Sequence, residues 1–221
     1  LERTMTAKLK IDFVSDSSCP WCAIGLAALE QALGALQGEV AAELHFQPFE
    51  LNPQMPPGGQ DIGEHLTQKY GSTPAQQAQI RQTIAQRGAD VGFAFNPNGR
   101  GRIYNTFDAH RLLHWAGIEG SGKQAALKHA LLAAYFTDAV DVSAHAELVR
   151  IVGAVGLDAG RAAKILESDE FAQEVYEREQ HYTGNGINSV PAVIINNRHL
   201  ISGGQPVEVF AGALRRIADQ G

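Results

Sequence analysis

Cysteine is scarce in this chain, with two residues among 221. Two cysteines are too few for the disulfide framework of a secreted domain. In a chain of this length, such a pair indicates redox catalysis or metal binding. The scarcity also favours the cytoplasm, where thiols are kept reduced. We therefore expect a cytoplasmic protein whose cysteines take part in chemistry.

Long apolar runs and basic clusters are also missing. No stretch approaches the roughly 20 apolar residues that a membrane helix needs. No run of lysine or arginine interleaves with aromatic residues, and the net charge is −6, which argues against a nucleic-acid surface. The polar start predicts no signal peptide, and we interpret residues 1–4, ahead of Met5, as an expression remnant. Neither a membrane nor a nucleic acid is expected as a partner.

The two cysteines stand together in the motif Ser18-Cys19-Pro20-Trp21-Cys22, directly after a strand-like run. Proline is tolerated in the first turn of a helix, so the motif lies where a strand leads into a helix. The partial positive charge and free N–H groups of a helix N-terminus favour the thiolate of Cys19. Cys22 is close enough in sequence to form a disulfide with it. This arrangement predicts thiol–disulfide exchange.

The two ends of the chain alternate strands and helices. A right-handed crossover would make the first two strands parallel neighbours. The first end predicts a strand over 8–14, a helix over 20–36 and a strand over 43–49. The last end predicts a strand over 190–195, a tight turn at 196–197, a strand over 199–202 and a helix over 207–218. Together they predict an α/β protein with a mixed four-stranded sheet.

The middle of the chain predicts helix after helix. Sequence signals for helix starts or helical runs occur at Thr73-Pro74, 105–115, 121–136, Ser143 and Asp158. We therefore divide the chain into a sheet unit of residues 8–60 and 185–221 and an inserted helical unit of residues 61–184.

These residues resemble the thioredoxin superfamily and its DsbA family, in particular the FrnE-like oxidoreductases, some of which are linked to polyketide biosynthesis. The resemblance runs from Lys8 to about Ile217. Its motifs are Cys19-Pro20-Trp21-Cys22, Pro48-Phe49-Glu50-Leu51-Asn52-Pro53, the stretch from Asn105 to Leu112, and Val190-Pro191. It implies a thioredoxin fold with a large helical insertion, and disulfide exchange on protein or small-molecule thiols.

The resemblance also implies roles for the motif residues. Cys19 would be the attacking and more exposed sulfur, and Cys22 the buried, resolving one. Pro20 and Trp21, between them, would tune the thiolate. A cis bond would place Pro191 beside the sulfurs and expose the Val190 backbone, which an extended substrate can pair with.

Other polar residues are weaker candidates. Asp12 would relay a proton to Cys22 if it is buried, and is otherwise an exposed strand carboxylate. Asp16, Ser17 and Ser18 are interpreted as loop and cap residues, with a serine bonding to the helix N-terminus. Asn105 and His110 are expected to face the cleft above Cys19 and help select the substrate.

Three alternatives compete with dithiol exchange. Cys19, Cys22, His110 and His114 would make a four-ligand zinc site, but helical periodicity already explains the histidine spacing, so no metal is expected. Related 2-hydroxychromene-2-carboxylate isomerases and kappa-class glutathione transferases carry serine at the Cys19 position, which keeps a glutathione-dependent isomerase or transferase open. A non-enzymatic binding module would leave the cysteine pair unexplained. The expected reactive group is the redox disulfide of Cys19 and Cys22, and the sequence leaves glutathione open as a co-substrate. It also leaves the oligomeric state open between a monomer and a homodimer.

Overall fold

The computed structural model describes residues 6–220, so the interpretation of residues 1–4 as a remnant lies outside the described residues. This part of the chain forms nine helices and six strands. They are β1 (Ala7–Ser15), α1 (Pro20–Ala35), β2 (Val40–Pro48), β3 (Gln60–Asp61), α2 (Ile62–Tyr70), α3 (Pro74–Asp90), β4 (Arg102–Ile103), α4 (Phe107–Glu119), α5 (Ser121–Phe136), α6 (His145–Ala154), α7 (Ala159–Leu166), α8 (Ala172–Gly184), β5 (Ala192–Ile195), β6 (His199–Ser202) and α9 (Val207–Ala218).

The main sheet has the strand order β2-β1-β5-β6. β1 runs parallel to β2, with Phe13 opposite Phe46, and antiparallel to β5, with Phe13 opposite Val193. β6 pairs antiparallel with β5. The mixed four-stranded sheet predicted from the two ends of the chain is confirmed, and β1 occupies an interior position in it.

Local sequence signals explain several element boundaries. Thr73 and Gln76 form a capping box at the start of α3, in which each side chain accepts a hydrogen bond from the other residue's backbone N–H. Asp158 caps α7 through the Arg161 N–H at 3.0 Å. Asn196 and Asn197 both adopt positive φ, which suits the two-residue turn between β5 and β6.

Some boundaries differ from the sequence prediction. The fifth strand begins at Ala192, because Val190 and Pro191 form the turn that precedes it. Ser143 does not start α6: it bonds to Asp141, and the helix begins at His145. The short two-stranded sheet of β3 and β4 was not predicted, since two-residue strands carry no measurable periodicity.

One apolar core joins the sheet to the helices that follow β2. It contains residues of β1, α1, α4, α5, α6, α7 and α9, among them Ile11, Phe13, Cys22, Leu29, Leu112, Leu131, Leu148, Ile165 and Phe210. A smaller cluster contains Val14 and Tyr182, together with Phe49, Ile187 and Ala192. Within residues 6–220, no helix has the length and apolar content needed to cross a bilayer.

Candidate active site

The two cysteines lie at the N-terminus of α1, which β1 and a three-residue loop deliver to this place. Cys19 is the N-cap residue, with φ −92° and ψ 114°, and no side chain caps the helix. The Cys19 N–H donates to the Asp16 carbonyl at 3.1 Å, and the Cys19 carbonyl accepts from the Cys22 N–H at 3.1 Å. The Cys19 sulfur therefore occupies the position where the helix dipole favours an anion.

The cysteines are free thiols in different environments. Cys19 is 4% exposed and Cys22 is fully buried, in the order expected for attacking and resolving sulfurs. A hydrogen bond from the Cys22 side chain lowers the pKa of Cys19 against the opposing effect of burial, and backbone N–H groups add to the lowering. Burial raises the pKa of Cys22 well above the ordinary thiol value, and Cys19 raises it further. The geometry thus favours a thiolate on Cys19 and a thiol on Cys22.

The loop before β5 lies against the Cys19 sulfur. The Val190–Pro191 bond is cis, as the resemblance implies. The Cys19 Sγ lies 3.7 Å from the Val190 carbonyl oxygen. A Cβ on Gly25 of α1 would come within 3.0 Å of the Pro191 Cγ and 3.2 Å of the Gly204 Cα. A glycine is therefore needed at this position for the helix to lie against the proline turn.

Asp16 is a buried carboxylate in the loop between β1 and α1. Its Oδ2 accepts from the Leu51 N–H at 2.8 Å and from the Ser18 hydroxyl at 3.1 Å. His110 Nε2 lies 3.4 Å from Asp16 Oδ1 and 3.0 Å from the Phe49 carbonyl, which can only accept, so Nε2 carries the proton. Burial raises the pKa of Asp16, but hydrogen bonding and charge from His110, with the Leu51 N–H, lower it overall.

These contacts correct two expectations. Neither Ser17 nor Ser18 caps α1: Ser18 bonds to Asp16, and the Ser17 hydroxyl has no hydrogen-bond partner among the described residues. His110 does not face the cleft above Cys19; it is 2% exposed, and its Nε2 lies 3.4 Å from Asp16 Oδ1. Both errors arise because Asp16 lies inside the protein, where it attracts these groups.

Asp12 and Asn105 bond to groups other than the cysteines. Asp12 is 1% exposed, which corrects the exposed alternative, and its carboxylate binds Gln47 Nε2 at 2.8 Å and Lys10 Nζ at 3.0 Å. It shares its strand face with Val14, whereas Ile11 and Phe13 on the other face pack in the core that contains Cys22. Asn105 bonds to the Met55 carbonyl and the Phe107 N–H at the start of α4.

Arginines line the rim of the site. Arg100 Nη1 donates to the Ser18 carbonyl at 3.1 Å. The Arg87 guanidinium lies 5.7 Å from the centre of the Trp21 ring. A groove of about 480 Å³ begins at Pro20 and runs between α2, α3 and the loop before β4, with an apolar lining that includes Ile84 and Phe136. A substrate at Cys19 would meet a cationic rim and an apolar groove.

Sequence reasoning gives no catalytic role to two charged residues that act electrostatically on the sulfurs. Asp16 was assigned to the loop, although a carboxylate directly after a buried strand was a usable signal. Lys128 was not considered, although it lies four residues after Gln124 and on the apolar stripe of α5. Within residues 6–220, no group of three or more histidine, cysteine or acidic residues is arranged to hold a metal ion.

Comparisons with known proteins give the family of this chain. The family model of the DSBA-like thioredoxin domain matches residues 10–215. A probable DsbA oxidoreductase from Streptomyces coelicolor superposes with a TM-score of 0.89 at 30% identity, covering 96% of this chain and 91% of that one. An uncharacterised protein of Bacillus subtilis, YwbO, is 26% identical over 95% of this chain and 96% of its own length.

A 2-hydroxychromene-2-carboxylate isomerase superposes with a TM-score of 0.70 at 13% identity, covering 96% of this chain and 97% of that one, and so shares the fold. The family match covers nearly the whole chain, and the cysteine pair, the cis-proline turn and the mixed sheet fit it. The chain therefore belongs to the family of DSBA-like thioredoxin domains.

Proposed function

We propose that this protein is a thiol–disulfide oxidoreductase that exchanges disulfides through Cys19 and Cys22. The observation that carries the proposal is the placement of both sulfurs at the N-terminus of α1 beside the Val190–Pro191 turn. The substrates would be protein or small-molecule thiols and disulfides. The cytoplasm is the proposed location, because both cysteines belong to the reactive pair and none is left for a structural disulfide.

The chemistry follows from the different states of the two sulfurs. The Cys19 thiolate attacks a substrate disulfide, one substrate sulfur leaves as a thiolate and takes a proton, and a mixed disulfide forms on Cys19. Cys22 then loses its proton and attacks the Cys19 sulfur. The Cys19–Cys22 bond forms, the bond to the substrate breaks, and two electrons have passed to the substrate. The reverse sequence oxidises a dithiol.

The substrate site has two parts in this proposal. An extended substrate segment would pair with the Val190 backbone next to Cys19. The groove that begins at Pro20 would take an apolar group of the same substrate, with Arg100 at its edge. Neither part requires a cofactor beyond the disulfide.

Two cysteine variants test the proposal. Cys19→Ser should abolish disulfide turnover, because no sulfur remains at the helix N-terminus to form the mixed disulfide. Cys22→Ser should accumulate mixed disulfides, visible by mass spectrometry as substrate bound to Cys19. Full turnover by Cys19→Ser would contradict the assignment. Glutathione conjugation that survives Cys22→Ser would instead support the glutathione-dependent alternative.

A redox titration of the pair would give the direction of electron flow. A reduction potential near the roughly −270 mV of thioredoxin would favour reduction of substrates, and a much more positive value would favour oxidation or isomerisation.

A further inference from the structure

Lys128 of α5 is a fully buried lysine without a hydrogen-bond partner. Its side chain is 0% exposed, and its Nζ contacts no acceptor within residues 6–220. Its neighbours on the helix, Leu127 and Leu131, are fully buried in the main core. Lysine is almost never fully buried unless it is paired, so an unpartnered one in the core calls for a functional explanation.

The fold places Lys128 at the end of the sheet where β1 leads into the cysteine motif. One turn earlier on α5, Gln124 accepts from the Phe46 N–H at 3.0 Å and so holds the helix on β2. Lys128 lines a cavity of about 210 Å³ together with Pro48, at the end of β2, and His110, which bonds to Asp16. This end of the sheet is also where β1 delivers the cysteines.

The ionisable groups around Lys128 come from four elements and one loop. Cys22, Asp16 and Cys19 act on it electrostatically, in decreasing order. The remaining ionisable groups of the cavity are His45 on β2, His110 and His114 on α4, and Arg178 on α8. No carboxylate lines the cavity, and the Asp16 carboxylate already accepts from Leu51 and Ser18.

Burial shifts Lys128 toward its neutral form. A buried ammonium without a hydrogen-bonded partner costs several kcal/mol, and such groups usually become neutral instead. Burial accordingly lowers the pKa of Lys128, while Cys22, Asp16 and Cys19 oppose that effect. In return, the protonated form of Lys128 lowers the pKa of Cys22. A neutral amine here can accept a proton, and it binds that proton more tightly once a thiolate forms beside it.

We propose that Lys128 takes the proton that Cys22 must lose in the resolving step. This inference rests on the proposed dithiol exchange. As the Cys22 proton passes to Lys128 Nζ, the Cys22 sulfur attacks Cys19, the Cys19–Cys22 bond forms, and the substrate sulfur leaves as a thiolate. In the reverse direction, the Lys128 ammonium returns the proton to Cys22. Nζ makes no hydrogen bond within residues 6–220, so the transfer requires the flexible four-carbon side chain of Lys128 to turn toward the Cys22 sulfur.

Stopped-flow reaction of the reduced protein with dithiobis-nitrobenzoate separates the two steps. Attack by Cys19 releases one coloured thiolate, and attack by Cys22 on the mixed disulfide releases the second. Lys128→Met keeps the length of the side chain and removes the base. We expect the first phase to stay within about twofold. The second phase should slow by roughly 100-fold near neutral pH, the lower end of the range for a lost general base. The deficit should shrink as pH rises from about 6 to 9 and hydroxide replaces the amine.

Two variants complete the experiment. Leu131→Met is the matched control, since it changes an equally buried residue of α5 without a charge, and both phases should match the wild type. Lys128→Arg keeps a positive charge but cannot release a proton, so its second phase should be slow as well. A wild-type second phase in Lys128→Met, or in Lys128→Arg, would overturn the role of Lys128. Release of only one thiolate by the wild-type protein would overturn dithiol exchange itself, and Lys128's role with it.

Discussion

The buried Asp16 and the half-buried Glu179 have pKa values shifted in opposite directions. Burial raises the pKa of Asp16, but His110 and the Leu51 N–H outweigh it, so the pKa falls below the ordinary value. Burial also raises the pKa of Glu179, and there Glu50 and Asp16 add negative charge, so the pKa rises to about 8. Glu179 Oε1 has no hydrogen-bond partner among residues 6–220. The hydrogen-bond donors and charges around a carboxyl group therefore set the direction of its pKa shift more than its degree of burial does.

Glu179→Gln should make the protein more stable in weak base. The folded protein holds the Glu179 proton up to about pH 8, whereas the unfolded chain releases it above the ordinary value of 4.5. This contribution to stability is therefore complete below pH 4.5 and is lost as pH rises through about 8. Glutamine carries no charge and avoids the loss. For a partly exposed group we expect about 1 kcal/mol, or roughly 2–4 °C in Tm.

Thermal unfolding at pH 5 and pH 8 measures this difference. Glu177→Gln is the control, since Glu177 lies exposed on the same helix and should respond equally at both pH values. An equal response of Glu179→Gln at both pH values would contradict the shifted pKa.

At the level of elements, the position of α1 against the proline turn sets the geometry of the site. The helix carries both cysteines at its start and Gly25 one turn later. Gly25 lies against Pro191 and Gly204, whereas Gly34 on the same helix has open space around its Cα. Glycine is therefore required for close packing at position 25 and has no packing role at position 34.

Alanine at these two glycines should have opposite effects. Gly25→Ala forces its new methyl group against Pro191 and should lower the free energy of unfolding by about 1–3 kcal/mol, as overpacking does. It should also slow disulfide exchange, because α1 must move away from the turn. Gly34→Ala should stabilise the protein by roughly 0.5–1 kcal/mol through helix propensity, with unchanged exchange. Denaturant unfolding measures the free energy of unfolding, and turnover assays measure the rate of exchange. Wild-type stability and turnover of Gly25→Ala would show that the Val190–Pro191 turn moves without cost to make room for the methyl group.

On the scale of the whole molecule, the helical segment and the sheet share one core. Gln124 is the polar part of that connection: its side chain bonds to both the N–H and the carbonyl of Phe46 on β2 and to the Leu113 carbonyl on α4. The residues that fill the apolar core come from both sides of this contact. Lys128 lies one turn further along α5, so this contact of α5 with β2 helps to set its position.

Gln124→Leu should weaken the whole protein. It leaves the buried Phe46 N–H and carbonyl without the side chain that binds them, which should cost about 1–3 kcal/mol in the free energy of unfolding. Gln79→Leu, at an exposed position of α3, should change it by less than about 0.5 kcal/mol. Urea unfolding followed by circular dichroism gives both values. Equal stability of the two variants would mean that the apolar core alone holds α5 on the sheet.

The sequence by itself determined the parts of the protein that depend on local chemistry. The helix that starts at Pro20, the helix over 121–136, the Asn196–Asn197 turn and the final helix all follow from periodicity, capping and turn residues within a few positions of each other. The cysteine pair at a strand-to-helix junction was visible for the same reason.

Only the tertiary structure decided which polar residues surround the sulfurs. Asp16 and His110 lie 94 positions apart in the sequence, and Lys128 comes from a helix whose pattern is apolar. A residue's charge inside a protein depends on donors, acceptors and water brought to it by distant segments, and no local pattern records them. Distant segments thus pair the Asp12 carboxylate with Gln47 and, within residues 6–220, leave the buried Lys128 Nζ without a hydrogen-bond partner.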